Sequence, residues 1–276
     1  MYRYVLCLML IVPLAAHADT PKELLEKARE ALKKNERTEA LKLVDQAIAM
    51  DQKNADAFAL RGEVRMADRQ FNRAVNDLTK AIELRPEAAS YYDQRGTANF
   101  KQAKIAESLA DYNKAIELDP KLAPGHWRRG LTLYYAQKYA DGVAQFGTSD
   151  KTEPNDVENA IWHFLCNARV QGVEKARTEF LKVKEDPRGE YMMKIYELFL
   201  GQAKPDDVMA AAESGQGSKD PERIRKFYAN YYVGMYYEAM GEPKKSLELL
   251  KEALQYPNNH YMMDVALVHI QLRKKK

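Results

Sequence analysis

The chain has 276 residues, 46% of them hydrophobic and 30% charged, a composition that folds and excludes disorder over most of its length. Lys and Arg number 43 against 40 Asp and Glu, and apart from the terminal RKKK the net charge of +3 is spread out, so no nucleic-acid partner is expected. Abundant Ala, Leu, Lys and Glu, with few alternating apolar runs, predict helix nearly throughout.

Residues 1–18, MYRYVLCLMLIVPLAAHA, carry Arg3, an apolar run from Tyr4 to Leu14 and the small-residue pattern Ala16-His17-Ala18, which together read as a secretory signal peptide. Eleven apolar residues interrupted by Pro13 are too few to span a hydrocarbon core of ~30 Å. The expected product is a soluble periplasmic or secreted chain starting at Asp19, with no stable membrane anchor. Cys7 leaves with the signal, so Cys166 has no partner for an intramolecular disulfide and is expected inside a helix. His163 lies one turn from Cys166, but no further His or Cys is near enough to complete four ligands, so neither metal nor cofactor is expected.

From residue 19 a register of 34 takes over. Gly62, Gly96 and Gly130 keep it, as do Pro86, Pro120 and Pro154, and Ala47, Ala81 and Ala115. The units are 21–54, 55–88, 89–122 and 123–156, each a helix, a turn and a second helix ended by the proline. A glycine inside a helix costs ~1 kcal/mol against alanine, so its recurrence implies a close approach to the second helix of the same unit, with the alanines serving the neighbouring unit. Phe58, Phe71 and Leu78, then Tyr92, Ile105 and Tyr112, then Tyr139 and Phe146 are the expected core. Arg61, Arg95 and Arg129 each precede the glycine, and Asp77 and Asp111 share one position in the second helices, which predicts a structural Arg–Asp ladder.

These positions resemble the tetratricopeptide repeat, most closely in ADAFALRGEVRMADRQFNRAVNDLTKAIELRPEA at 55–88. The resemblance implies an all-α fold, a right-handed superhelical solenoid of paired antiparallel helices whose first helices line a concave groove. Unit 21–54 departs from it, with Ala28 for the glycine and Gln52 for the proline, as a terminal cap would.

Across 157–276 the register weakens. Ala176 and Phe180 keep their places in 157–190, but Phe164 replaces the glycine and puts a close helix contact in doubt. KPDDVMAAAESGQGSKDPER suggests a short helix and a Gly/Ser/Asp loop near 214–221. A further repeat at 227–260 has Gly234, Tyr237, Gly241, Leu250 and Ala253 in place, and YMMDVALVHIQLRK follows as an amphipathic C-terminal capping helix. IYELFLG, NYYVGMYYEAMGE, SLELLKEAL and the closing helix, spanning roughly 157–272, are similar in order to the NlpI-type envelope lipoproteins. That resemblance implies a homodimeric adaptor that brings a periplasmic protease to cell-wall hydrolases. The lipidated cysteine of that family has no counterpart, because Asp19 stands at the cleavage point.

No phosphate loop, HExxH, CxxC or Gly-x-Ser-x-Gly motif is present, and an enzyme is not expected. The expected function is a protein–protein adaptor in the bacterial envelope, the alternative a module that captures extended peptides in the groove. At groove positions where a carboxylate clamp needs Lys and Asn stand Ala59, Glu63, Asp93 and Thr97, whereas Trp127, Leu131, Tyr134 and Phe100 offer an apolar wall. Nine of seventeen tyrosines fall between Tyr191 and Tyr261, so Tyr232 and Tyr236, with Tyr231 and Tyr237, are expected to form an association surface.

Overall fold

The computed structural model describes residues 19–149 and 155–274; the signal sequence and Pro154 lie outside them. Among the described residues there are fifteen α-helices, one 3-10 turn at Pro120–Leu122 and no strand, arranged as the helix-pair solenoid that the register implies.

The pairs are α1 (Pro21–Lys33) with α2 (Arg37–Met50), α3 (Ala55–Ala67) with α4 (Phe71–Leu84), and α5 (Ala89–Phe100) with α6 (Ile105–Leu118). Thr20 starts the array with a capping box to Glu23, and Asn54 caps α3 by accepting from the Ala57 amide. In each pair the turn places one residue in the left-handed region, at Asn35, Arg69, Ala103 and Gln137, again 34 apart. In later helix-to-helix turns glycine takes the left-handed conformation instead, at Gly201 and Gly241. The four side-chain-bearing residues each carry a cost of about 1 kcal/mol that the surrounding helix pair sustains.

The glycines do what their spacing implies. A Cβ at Gly62 would sit 2.9 Å from Leu78 Cγ, at Gly96 3.0 Å from the Tyr112 ring, and at Gly130 2.5 Å from Phe146 Cζ. Each faces the second helix of its own pair, and Ala47, Ala81 and Ala115 are fully buried. Leu78, Tyr112 and Phe146 are core; Phe58, Phe71, Tyr92, Ile105 and Tyr139 are half-buried around it.

The arginine ladder forms with two rails. Arg61 reaches Asp77 at 2.8 Å in its own pair and Asp45 at 2.8 Å in the preceding one. Arg95 pairs with Asp111 at 2.7 Å and reaches Thr79 at 3.1 Å. Arg129 donates to Gln145 at 2.6 Å and Asn113 at 2.8 Å. Both partners thus lie sixteen residues away, one on each side, and the third rung is neutral, with Gln145 where the first two have Asp.

The fourth pair, α7 (Trp127–Tyr135) and α8 (Tyr139–Ser149), begins late, because Pro124 and Gly125, with φ of 72° at the glycine, keep 123–126 out of the helix. His126 becomes the cap and accepts from the Arg129 amide. Next come α9 (Val157–Gln171) and α10 (Val173–Thr178), whose six residues are all that remains of a second helix. Phe164, in the glycine's place, is buried against Phe180 and Phe199, and Cys166 is buried where a Cβ on Gly142 would meet its Sγ at 2.6 Å. Burial pushes the Cys166 thiol up to about 12.

The remainder is α11 (Glu190–Leu200), α12 (Pro205–Ser214), α13 (Glu222–Ala239), α14 (Pro243–Ala253) and α15 (Tyr261–Arg273). Two expectations need correction. Tyr231 and Tyr232 point inward and are fully buried, and Tyr236 is half-buried against Phe199, so α13 presents no wide aromatic surface. The eighteen-residue α13 is covered on several sides at once, by α11, α12 and α14, which an isolated pair would not provide. Nor is α15 an amphipathic cap: Met262, Met263, Asp264, Val265, Ala266, Val268, His269 and Ile270 are all buried, so it is enclosed on nearly every side.

Candidate functional site

The enclosure of α15 is built by the inner face of the repeats. Asp264 pairs with Arg69 after α3 at 2.7 Å and with Lys101 after α5 at 2.9 Å. The Tyr261 ring stacks on Phe100 at 5.9 Å, meets Trp127 edge-on at 4.8 Å and carries the Lys101 ammonium at 5.3 Å. Farther along, His269 lies between the Tyr135 hydroxyl at 3.2 Å and Glu238 Oε2 at 2.8 Å. Glu238 also takes Arg169 at 2.8 Å and Arg273 at 3.2 Å. Burial works against its charge, but His269, Arg273 and Arg169 outweigh it and hold the carboxyl down to about 2.

Three of the four residues expected to form an open apolar groove wall are instead covered. Phe100 lies beneath Tyr261 and Tyr135, and Tyr134 is buried against Tyr139 and Trp162. Leu131 is 1% exposed and reaches open space only through a cavity. Trp127, 36% exposed, is the one of the four that solvent reaches. Tyr232 is turned away from any surface, its hydroxyl donating to Glu158 Oε1 at 2.5 Å. An extended segment cannot run the length of the inner face while α15 is seated there.

Beside the α15 seat the face stays open, in a cavity of about 270 Å³ walled by Trp127, Leu131, Trp162, Tyr228, Tyr261 and Met262. Both tryptophans of the chain are in this wall. Its polar side comes from the first turn of α9. Asp156 caps the helix by accepting from the Glu158 amide at 2.9 Å, and Arg188 binds Asp156 at 3.0 Å, Asp186 at 2.6 Å and Glu158. Burial pushes the Glu158 carboxyl up, Arg188 and Tyr232 offsetting only part of the shift. Asn159 donates through Nδ2 to the Phe146 carbonyl at 3.1 Å, leaving Oδ1 without a partner, and the Trp162 indole N–H has none either.

Of the residues lining this cavity, the sequence pattern singled out Trp127 and Leu131 but not Trp162, Asn159, Glu158, Tyr228 and Tyr261. One signal was available: Asp264 and His269 interrupt α15 without gathering on one polar face, as in a helix buried all round. Among the described residues no group of three His, Cys, Asp or Glu side chains could hold a metal ion, and no helix is long and apolar enough to cross a membrane.

The tetratricopeptide-repeat family model matches residues 25–69 and 59–123, so this stretch consists of tetratricopeptide repeats. No curated protein matches the chain. Among solved structures, a tetratricopeptide repeat protein from Parabacteroides merdae is similar over 92% of this chain and 98% of its own, with 14% identity and a TM-score of 0.60. The pilF protein of Pseudomonas aeruginosa is similar over 93% and 97%, with 14% identity and a TM-score of 0.52. MamA from Desulfovibrio magneticus RS-1, from residue 41 to its end, covers 59% of this chain and 92% of its own, with 16% identity and a TM-score of 0.53. These likenesses establish the all-helical repeat fold.

Proposed function

We propose that the chain is a non-catalytic interaction scaffold of the bacterial envelope, acting in the periplasm or after secretion, whose inner repeat face holds polypeptide. One observation carries the reading: the inner face already grips a helix, α15, through ion pairs at Asp264 and aromatic contacts at Tyr261, and the grip leaves Trp127 exposed at the edge of an aromatic cavity. Aromatic side chains beside a desolvated pocket are the usual centres of binding energy. Capture along the whole groove is the weaker reading, because α15 fills it. The bridging of a protease to cell-wall hydrolases, and a homodimer, rest on the resemblance of residues 157–272 alone.

The test is retention from a periplasmic or secreted fraction by the chain lacking residues 1–18, compared with its Trp127→Ala variant at equal helicity. Partners bound at the inner face should fall at least roughly tenfold in the variant. Equal retention would place binding elsewhere. A protease and a wall hydrolase retained together would support the bridging role, and light scattering across concentrations decides the dimer.

A further inference from the structure

We infer that the cavity between α7, α9, α13 and the start of α15 is an anchor pocket for an extended peptide segment, taking one aromatic or long apolar side chain while that residue's backbone amide is bridged by Asn159 and Trp162. The inference rests on the reading of the inner face as an interaction surface and names the chemistry of what it takes.

Size comes first. Pockets for whole small ligands run from about 300 to 1,000 Å³, so a cavity of about 270 Å³ suits a single large side chain. Its apolar and aromatic walls, two indoles, two phenols, the Phe146 ring, the His260 imidazole, a leucine and a methionine, match that occupant.

The unmatched hydrogen-bonding groups then specify what accompanies the side chain. Asn159 is 6% exposed with a free acceptor, and Trp162 is 2% exposed with a free donor. A buried polar group without a partner costs on the order of 1–3 kcal/mol, so a ligand that supplies both partners gains from both. The two residues stand three apart on α9 and therefore share a face, about 5–6 Å apart at their Cβ atoms. A peptide group offers one N–H and one C=O at that scale. An aliphatic or purely aromatic ligand offers neither, and a helical segment has already used its own amides, so the occupant is extended.

Charge sets the flanks. Asp156 and Glu158 line the polar end of the cavity beside His260, and behind them Arg188 is the one cation shared by Asp156, Glu158 and Asp186, so the carboxyl groups outnumber it even with Glu158 shifted toward its protonated form. Lysine or arginine beside the anchor residue is favoured there, and glutamate disfavoured.

Trp127 and Trp162 are the only tryptophans, so tryptophan emission, excited beyond the tyrosine absorption, reports on this cavity. The probe is an acetylated, amidated pentapeptide with a central phenylalanine between glycines and lysines, titrated into the chain lacking residues 1–18, with calorimetry in parallel. Saturable binding is expected. It should weaken at least tenfold when glycine replaces the phenylalanine, about tenfold when the phenylalanine nitrogen is methylated, and severalfold when glutamates replace the lysines. Asn159→Leu should abolish the N-methylation penalty, whereas Asn159→Asp, which keeps an oxygen there, should retain it. Should Asn159→Leu fail to fold, the N-methyl comparison on the unaltered chain decides. No saturable signal up to millimolar peptide, or an N-methylation penalty that survives in Asn159→Leu, overturns the inference. If the peptide does not bind but Trp127→Ala still loses its partners, the pocket falls and the scaffold reading stands. If the peptide binds while Trp127→Ala keeps every partner, the converse holds.

Discussion

The first three helix pairs and the rest of the chain solve the same packing problem differently. Residues 24–91 bury three small separate apolar clusters, with Arg61, Arg65 and Asp77 running between helices beside them. From Phe100 onward most buried apolar residues, Leu109, Tyr112, Ala115 and Leu133 apart, join one continuous aromatic cluster that extends to Ile270. In the first region a residue meets its own pair and the next, the arrangement in which stability is close to a sum of neighbour terms. In the second, contacts bridge 134 residues, as between Tyr135 and His269, and α15 reaches back 195 residues to Arg69 in the first. The difference teaches that α15 converts the end of an open array into a closed, cooperative body.

Removing residues 258–276 should give the largest effect. Burial of Val265, Ala266, Val268 and Ile270 is lost, at a cost of at least about 5 kcal/mol. Hydrogen exchange should accelerate in α5, α7 and α13 and stay unchanged in α1 and α2. Equal acceleration everywhere would break the comparison.

Acid should separate the regions next. The Glu238 carboxyl is depressed from 4.5 to about 2, so its stabilisation is complete above pH about 4.5 and disappears as pH falls through about 2. The shift corresponds to about 3 kcal/mol, and Glu238→Gln should flatten that limb of the stability profile. Glu158 works with the opposite sign. Its raised carboxyl makes the folded state favour the proton, so its contribution is present at low pH and is lost as pH rises from its ordinary range through the raised value.

Overpacking at the repeat glycines follows in size. In Gly130→Leu even the Cβ would lie 2.5 Å from the Phe146 ring, which belongs to the large cluster, and a cost of up to about 3 kcal/mol should appear in the main thermal transition. Gly62→Leu meets the flexible end of Leu78 and should lower only an early transition confined to the first pairs. A single shared transition in both variants would show that the array is not divided. The smallest effect is expected from Gln137→Gly, an exposed site where relief of the left-handed backbone, with φ of 59°, should stabilise the chain by about 0.5 kcal/mol after the entropy of glycine is counted.

Whatever repeats can be read from the residues alone. The 34-residue register places Gly96 against Tyr112, Arg95 against Asp111 and Ala81 in the seam, because each such contact lies within a pair or between adjacent pairs and is rewarded in the same way every time it recurs. Local turn chemistry was legible too, in the prolines and in the loop after α12, where Gly215 and Gly217 take positive φ. The left-handed positions at Asn35, Arg69, Ala103 and Gln137 were not, since three of the four are residues that carry no turn signal. Tertiary structure alone decided where α15 lies and hence what Phe100, Leu131, Tyr134 and Tyr232 do. A periodic apolar pattern states that a side chain is buried, but it does not state by which helix, and a single helix that returns across more than a hundred residues leaves no period to read. The cavity beside it exists for the same reason. Trp127, Trp162, Tyr228 and Tyr261 come from four helices and meet only after α15 has closed the array.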